Sequence, residues 1–200
     1  MRRVTVIVLL SITTVAAADK DKNHFAPGPA SSYAAHQTLD KITIAAVPFV
    51  TDAETSTAFG KLNPNKHGIL PVLVILENGT GKALRLDLNA QFVTADGKHQ
   101  DAIAPDDVQR LGAVTKAPRI GGSNPFPVPL PTRVKKGPLN VWEIEGRAFV
   151  AKLLPVAERV FGFFYFQTEH EPGSRIYLTG VRDASTGQDY FYYEVPLEKQ

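Results

Sequence analysis

The chain has 200 residues, 44% of them hydrophobic and 21% charged, with 22 Lys+Arg against 20 Asp+Glu and no cysteine. This balance suits one globular domain with its own core, and the lack of cysteine excludes disulfides and thiol chemistry. Loss of Arg2 and Arg3 with a cleaved leader would leave 20 basic against 20 acidic residues, so the positive field that nucleic-acid binding relies on is missing and no such partner is expected.

Residues Met1 to Ala18 read as a signal peptide. Arg2 and Arg3 form a charged start, Val4 to Val15 an apolar run, and Ala16, Ala17 and Ala18 a small-residue cleavage site. The apolar run is shorter than the roughly 20 residues that a spanning helix needs, and Asp19-Lys20-Asp21-Lys22 follows at once. The expected location is therefore periplasmic or secreted, with an uncleaved membrane anchor as the alternative and no transmembrane segment after signal removal. Asp19 to Thr38 is polar and small around Pro27-Gly28-Pro29-Ala30, shows no period, and is expected to be a flexible leader.

From Leu39 to Gln200 the pattern is that of a single β domain. Leu39 to Val50 reads as the first strand, ending near Pro48. A long connection through Asn63-Pro64-Asn65 leads to the near-continuous apolar strand Gly68 to Asn78. Asn78-Gly79-Thr80-Gly81 then reads as a hairpin-type turn. Leu84, Leu86 and Leu88 alternate with Arg85 and Asp87, a bend is expected near Asn89-Ala90, and Asp96-Gly97 signals a hairpin with a return strand from Lys98 to Ile103. Pro105, two aspartates and Gly112 mark a short helix by its start, dipole and stop.

Residues 116–138 are proline-rich, with Gly121-Gly122 and the basic trio Arg133, Lys135 and Lys136, and are expected to be an extended loop. Val141 to Leu154 fits either a helix or a strand, since Glu143 can pair with Arg147 on a helix while Val-Trp-Glu-Ile-Glu also alternates. A helix from about Glu145 to Leu154 is the favoured form. Arg159 to Thr168 is the most apolar segment outside the N-terminus and is expected to be a central strand. It carries Phe161, Phe163 and Tyr165 on one face and Val160, Phe164 and Phe166 on the other, so both faces should be covered. Arg175 to Arg182 and Asp189 to Leu197 complete a C-terminal meander.

The order Gly-Ile-Leu-Pro-Val-x-Val-Ile-x-x-Asn at Gly68 to Asn78, the Asp96-Gly97 hairpin, Gly-Phe-Phe-Tyr-Phe at Gly162 to Phe166 and the closing Val195-Pro196 resembles the secreted immunoglobulin-like β-sandwich domains of bacteria, over residues 39–197. The resemblance implies a fold and an exported location and carries no catalytic residues. The expected fold is all-β, an immunoglobulin-like β-sandwich of about 7–9 strands with a short helical insertion.

Chemistry-bearing patterns are sparse. The sequence holds no Gly-x-Ser-x-Gly elbow, and Gly79-x-Gly81 lacks the lysine and helix of a phosphate-cradling loop. His99, Asp101, Asp106 and Asp107 cluster in sequence but match no metal-loop spacing. His24, His36, His67 and His170 read as solvated or strand-end residues. Asn78-Gly79-Thr80 matches a glycosylation sequon that the turn explains. No metal, cofactor or catalytic residue is therefore assigned. The expectation is a non-catalytic module that binds a protein or cell-envelope partner, with Arg119, Phe126, Arg133, Lys135 and Lys136 of the proline-rich loop as candidate contacts, because a pre-extended loop loses little entropy on docking. The alternatives are a purely structural envelope-associated domain and a hydrolase with an unrecognised site.

Overall fold

The computed structural model describes residues 25–111, 137–139 and 141–198. The signal-peptide segment and the five candidate contacts in the proline-rich loop lie outside the described residues. Among the described residues the protein is mostly β: nine strands form two antiparallel sheets, with three short helices. The first sheet runs β1 (His36–Leu39), β2 (Ile42–Pro48), β3 (Leu70–Asn78) and β7 (Arg159–Phe166) in spatial order. The second runs β5 (His99–Asp101), β4 (Leu84–Val93), β8 (Arg175–Asp183) and β9 (Tyr193–Pro196), and β6 (Leu153–Leu154) also pairs with β4.

The two sheets face each other across one apolar cluster. Ile42, Ile44, Val72, Val74, Leu76 and Phe166 of the first sheet meet Leu86, Phe92, Ile176, Leu178, Val181 and Val195 of the second. The opposite face of the first sheet is also buried. Ala45, Val47, Leu73, Ile75, Phe163 and Tyr165 lie under a roof made by α1 (Asp52–Phe59), α2 (Pro105–Arg110) and α3 (Trp142–Gly146), which contribute Ala58, Phe59, Val108 and Ile144. This explains why β3 and β7 are apolar on both sides, whereas β4 and β8 alternate buried with partly or fully exposed positions as a half-solvated sheet should.

The aromatic strand β7 is an edge strand rather than the expected central one, because β3 takes its inner edge along eight paired residues from Leu70–Phe166 to Glu77–Arg159. β3 occupies the centre, paired on its other side with β2. The outer edge of β7 is closed piecemeal. The Ile103 N–H donates to the Tyr165 carbonyl (2.8 Å), Phe163 N–H donates to the Arg147 carbonyl (2.8 Å), and Phe149 N–H returns to the Phe163 carbonyl (3.0 Å). Gly162 permits this crossing: a Cβ there would lie 2.5 Å from the Phe149 Cα and 2.8 Å from its nitrogen, and neither backbone atom can yield. An edge covered in this way offers little free ladder for pairing with another chain. Within β7, Phe163, Tyr165 and Phe166 are buried, while Phe164 is half-buried and stacks on Phe149 at 5.3 Å.

Four further segments differ from the sequence expectation. Phe25 to Thr38, expected as leader, contains a 3-10 turn at Ala30–Ser32 and most of strand β1. Its isolated apolar residues Phe25, Ala30 and Tyr33 pack into the roof. The strand expected from Leu39 is a hairpin, turning at Asp40 and Lys41 with φ of 50° and 64°, the left-handed pair that the twist of a tight hairpin favours. The helix expected over Glu145 to Leu154 lies earlier, at Trp142–Gly146, after which the chain extends so that Ala148 bridges Phe163 and Leu153–Leu154 pairs with β4. The turn at Asn78-Gly79-Thr80-Gly81 joins two sheets rather than two paired strands, since β3 and β4 belong to different sheets.

Asn78 fixes that crossing. Its side chain is buried (2% exposed), and its Nδ2 donates to the carbonyls of Lys82 (2.6 Å), Pro155 (2.9 Å) and Leu154 (3.2 Å). Its Oδ1 accepts from the Thr80 N–H and hydroxyl. The amide nitrogen that a glycan would need is thereby committed to the fold. Asn78→Ala removes the shared partner of several groups at once, and urea denaturation should show a loss on the order of 2–3 kcal/mol without loss of the β-sheet circular-dichroism signal. A change below about 0.5 kcal/mol would mean that the crossing is held elsewhere.

Candidate functional site

The outer face of the first sheet concentrates the aromatic residues. Phe163 lies at its centre, with Phe49 edge-on at 4.9 Å, Phe59 at 4.9 Å and Phe25 at 5.6 Å. Phe25 also meets Phe161 at 6.3 Å. The Tyr165 hydroxyl donates to the Ile144 carbonyl (2.7 Å), which ties α3 down onto the sheet, and burial pushes that hydroxyl well above the usual tyrosine range.

Part of this face reaches solvent. Trp142 is 56% and Phe161 39% exposed, and the Arg147 guanidinium carbon stands 5.3 Å from the Phe25 ring centre and 5.9 Å from that of Trp142. Such placement is a cation–π arrangement, and desolvation lowers the Arg147 pKa from its ordinary value. Gly146 lets the indole fold back along its own helix, since a Cβ there would sit 2.4 Å from Trp142 Cε3. The resulting patch of Trp142, Phe161, Phe25 and Arg147 combines residue types that carry binding energy when partners dock.

Beside the patch lies an open groove of about 360 Å³. Val47, Phe49 and Leu73 of the sheet side form its floor, Ala53, Glu54 and Thr57 of α1 one wall, and Phe25 and Tyr33 the other. α1 is fixed by a capping box, in which Thr51 Oγ1 accepts from Glu54 N–H (3.2 Å) while Glu54 Oε2 accepts from Thr51 N–H (2.7 Å) and Val50 N–H (2.9 Å).

The proline-rich loop leaves and rejoins the fold on this same side. Leu111 packs against the roof cluster before the loop, and Leu139 is fully buried in that cluster after it. The remaining sequence candidates are dispersed. His36 Nδ1 bonds the Tyr33 carbonyl (2.6 Å), His99 Nδ1 the Gln91 side chain (2.9 Å), and His170 Nε2 donates to the Leu197 carbonyl (2.7 Å). His67 ends a 3-10 turn, Asp101 accepts from Gln91, and Asp106 and Asp107 lie in the first turn of α2. Among the described residues no group of three or more His, Cys, Asp or Glu could hold a metal ion.

Phe25 and Tyr33 are the site residues that the sequence does not announce. Their only local signal is that they are isolated aromatics in an otherwise polar stretch. Trp142 lies in the segment that fits either a helix or a strand by sequence, and its exposure depends on Gly146 and on the chain turning away after it. No family model matches the chain, and no curated protein matches it at a significant level.

The most displaced carboxylate lies elsewhere, at the end of β8. The Asp183 carboxylate receives a hydrogen bond from Lys82 Nζ (2.8 Å) and others from the Ser185 hydroxyl (2.6 Å), Ser185 N–H and Thr186 N–H, which hold its pKa far below the usual carboxylate range. A folded-state pKa below the unfolded value of about 3.9 contributes stability that is present above that pH and is lost as pH falls through the folded value. Asp183→Asn should therefore flatten the acid limb of the melting-temperature profile between about pH 5 and pH 2. Superimposable limbs for wild type and variant would show that the interaction does not persist in solution.

Proposed function

We propose that the protein is an exported, non-catalytic, immunoglobulin-like module that binds a protein or cell-envelope partner through the outer face of its first sheet. The observation that carries this reading is the exposed Trp142 and Phe161 patch, with the Arg147 guanidinium within 6 Å of both the Phe25 and Trp142 ring centres (5.3 and 5.9 Å). Trp and Arg dominate interface energetics because they bury large areas and, for Arg, form planar hydrogen bonds with little reorganisation. Phe161 adds apolar area beside them.

The immunoglobulin-like assignment rests on two facing antiparallel sheets and on the exchange of the chain between them at β3 to β4 and β7 to β8. Export rests on the charged start, apolar run and small-residue site of Met1 to Ala18. The proline-rich loop extends the same contact region in this reading. Its two roots lie in the roof cluster, and its Arg119, Phe126, Arg133, Lys135 and Lys136 supply further basic and aromatic groups.

The test compares immobilised wild type with a Trp142→Ala, Phe161→Ala double variant and with a chain in which residues 116–138 are scrambled. Extract from the source cells supplies the partner. Trp142 and Phe161 are partly exposed, so both chains should melt within a few degrees of wild type. The reading predicts one partner recovered with wild type and lost with both variants. Equal recovery with all three chains contradicts it, and loss only with the scrambled loop would restrict the contact to that loop.

A further inference from the structure

The outer face of the second sheet carries a row of side chains that crosses β5, β4, β8 and β9. Asp101 stands opposite Gln91, Gln91 opposite Tyr177, and Tyr177 opposite Glu194, so all four share one face, away from the apolar cluster. At the usual strand spacing the row is about 14 Å long. Its polar members hold one another in place. Gln91 Nε2 donates to Asp101 Oδ1 (2.7 Å), Gln91 Oε1 accepts from His99 Nδ1 (2.9 Å), and Glu194 Oε1 lies 3.0 Å from Arg175 Nε. Tyr177 sits among them, with His99 edge-on at 5.8 Å and Tyr192 stacked at 5.1 Å with 28° between the rings. One face of the Tyr192 ring is thereby covered and fixed, yet Tyr192 is 51% exposed, so its other face is open to solvent. Phe191, just before it, is 81% exposed.

We propose that this face binds a neutral oligosaccharide built of hexopyranose units with equatorial hydroxyls. Such a sugar presents axial C–H groups on its flat faces and hydroxyls around its rim. The C–H groups suit the electron-rich face of an aromatic ring, which Tyr192 offers already ordered by Tyr177. Neighbouring hydroxyls suit planar side chains, since a carboxylate accepts through two oxygens and an amide both donates and accepts. Asp101, Gln91 and Glu194 bring these groups into one row with the rings. Because Gln91 and Asp101 are already hydrogen-bonded to each other, little side-chain freedom is lost on binding. The charges on the face decide against other ligands. Asp101 and Glu194 repel phosphate and Arg175 is paired with Glu194, so a polyanion finds no positive field. The core of a protein interface is depleted of charged residues, whereas here a carboxylate stands at each end of the row. The site lies across the sandwich from the Trp142 and Phe161 patch and does not depend on partner binding there.

The experiment titrates the full mature chain with cellohexaose and with chitohexaose by isothermal titration calorimetry. Saturable binding of at least one of them is expected. Tyr192→Ala, at an exposed position, should weaken it about tenfold, the size of a lost ring contact, with an unchanged melting temperature. Tyr192→Phe should retain it, whereas Tyr192→Leu, which keeps apolar area but has no ring face, should lose it as alanine does. If the Tyr192→Ala chain does not fold, Asp101→Ala at the exposed end of β5 serves in its place. The Trp142→Ala, Phe161→Ala chain has an unaltered row and should bind the sugar as wild type does. Absence of saturable binding of either sugar, wild-type affinity in a folded Tyr192→Ala or Asp101→Ala chain, or equal affinity of the leucine and phenylalanine variants would overturn the proposal. A protein captured from extract only while Tyr192 is present, with neither sugar bound, would make the face a protein contact and would overturn it too.

Discussion

Strand β3 is the constraint from which the rest of the molecule follows. Leu70 to Leu76 are buried without interruption, and the strand is hydrogen-bonded to β2 along one edge and β7 along the other. A strand buried on both faces needs two covers. The second sheet supplies one, and three short helices with the Phe25 to Tyr33 segment supply the other. Even Pro71 conforms to this position. Its carbonyl accepts from the Phe49 N–H (2.9 Å), and the Phe49 carbonyl, which its missing N–H leaves without a ladder partner, accepts from Asn65 Nδ2 (2.9 Å).

Because the helices are too short to be stable alone, their placement depends on tethers to the sheet. Tyr165 holds α3 through its hydroxyl, Phe59 anchors α1 against Phe163, and Val108 inserts α2 into the same cluster. The candidate surfaces are consequences of this incomplete roof. Where α1 and the N-terminal segment leave a gap, the groove opens. Where α3 ends at Gly146 and the chain turns along β7, Trp142 and Phe161 remain at the surface. Partner binding in this protein is thus proposed at the seams between a rigid sheet and the elements that cover it.

Much of this architecture was legible in the sequence where the signal is local. The two-sided apolarity of Gly68 to Asn78 and Arg159 to Thr168 announced a doubly covered sheet, and Pro105 with its two aspartates announced α2. Strand order was not legible, since nothing in the residues of β7 says that β3 lies on only one side of it; the crossing chain at Gly162 settles its edge position. Asn78-Gly79 carried the right turn residues but not the sheet change, which is set by carbonyls 76 and 77 residues further along the chain at Leu154 and Pro155. The helix after Val141 was misplaced because Trp142 to Gly146 and the following strand share one apolar pattern, and Gly146 divides them. Of the candidate site, the sequence pointed to the proline-rich loop, whereas the groove is built by Phe25 and Tyr33, isolated residues whose partners lie on β2, β3 and α1.

The central claim, that β3 is the doubly covered axis on which both faces depend, can be tested by native-state hydrogen exchange with increasing urea. The account predicts that the amides of Val72 to Leu76 exchange only through global unfolding, with the free energy and urea dependence of the whole domain, while those of β1 and α3 exchange through smaller openings. Exchange of the β3 amides through a urea-independent local fluctuation, at rates like those of β1, would contradict it.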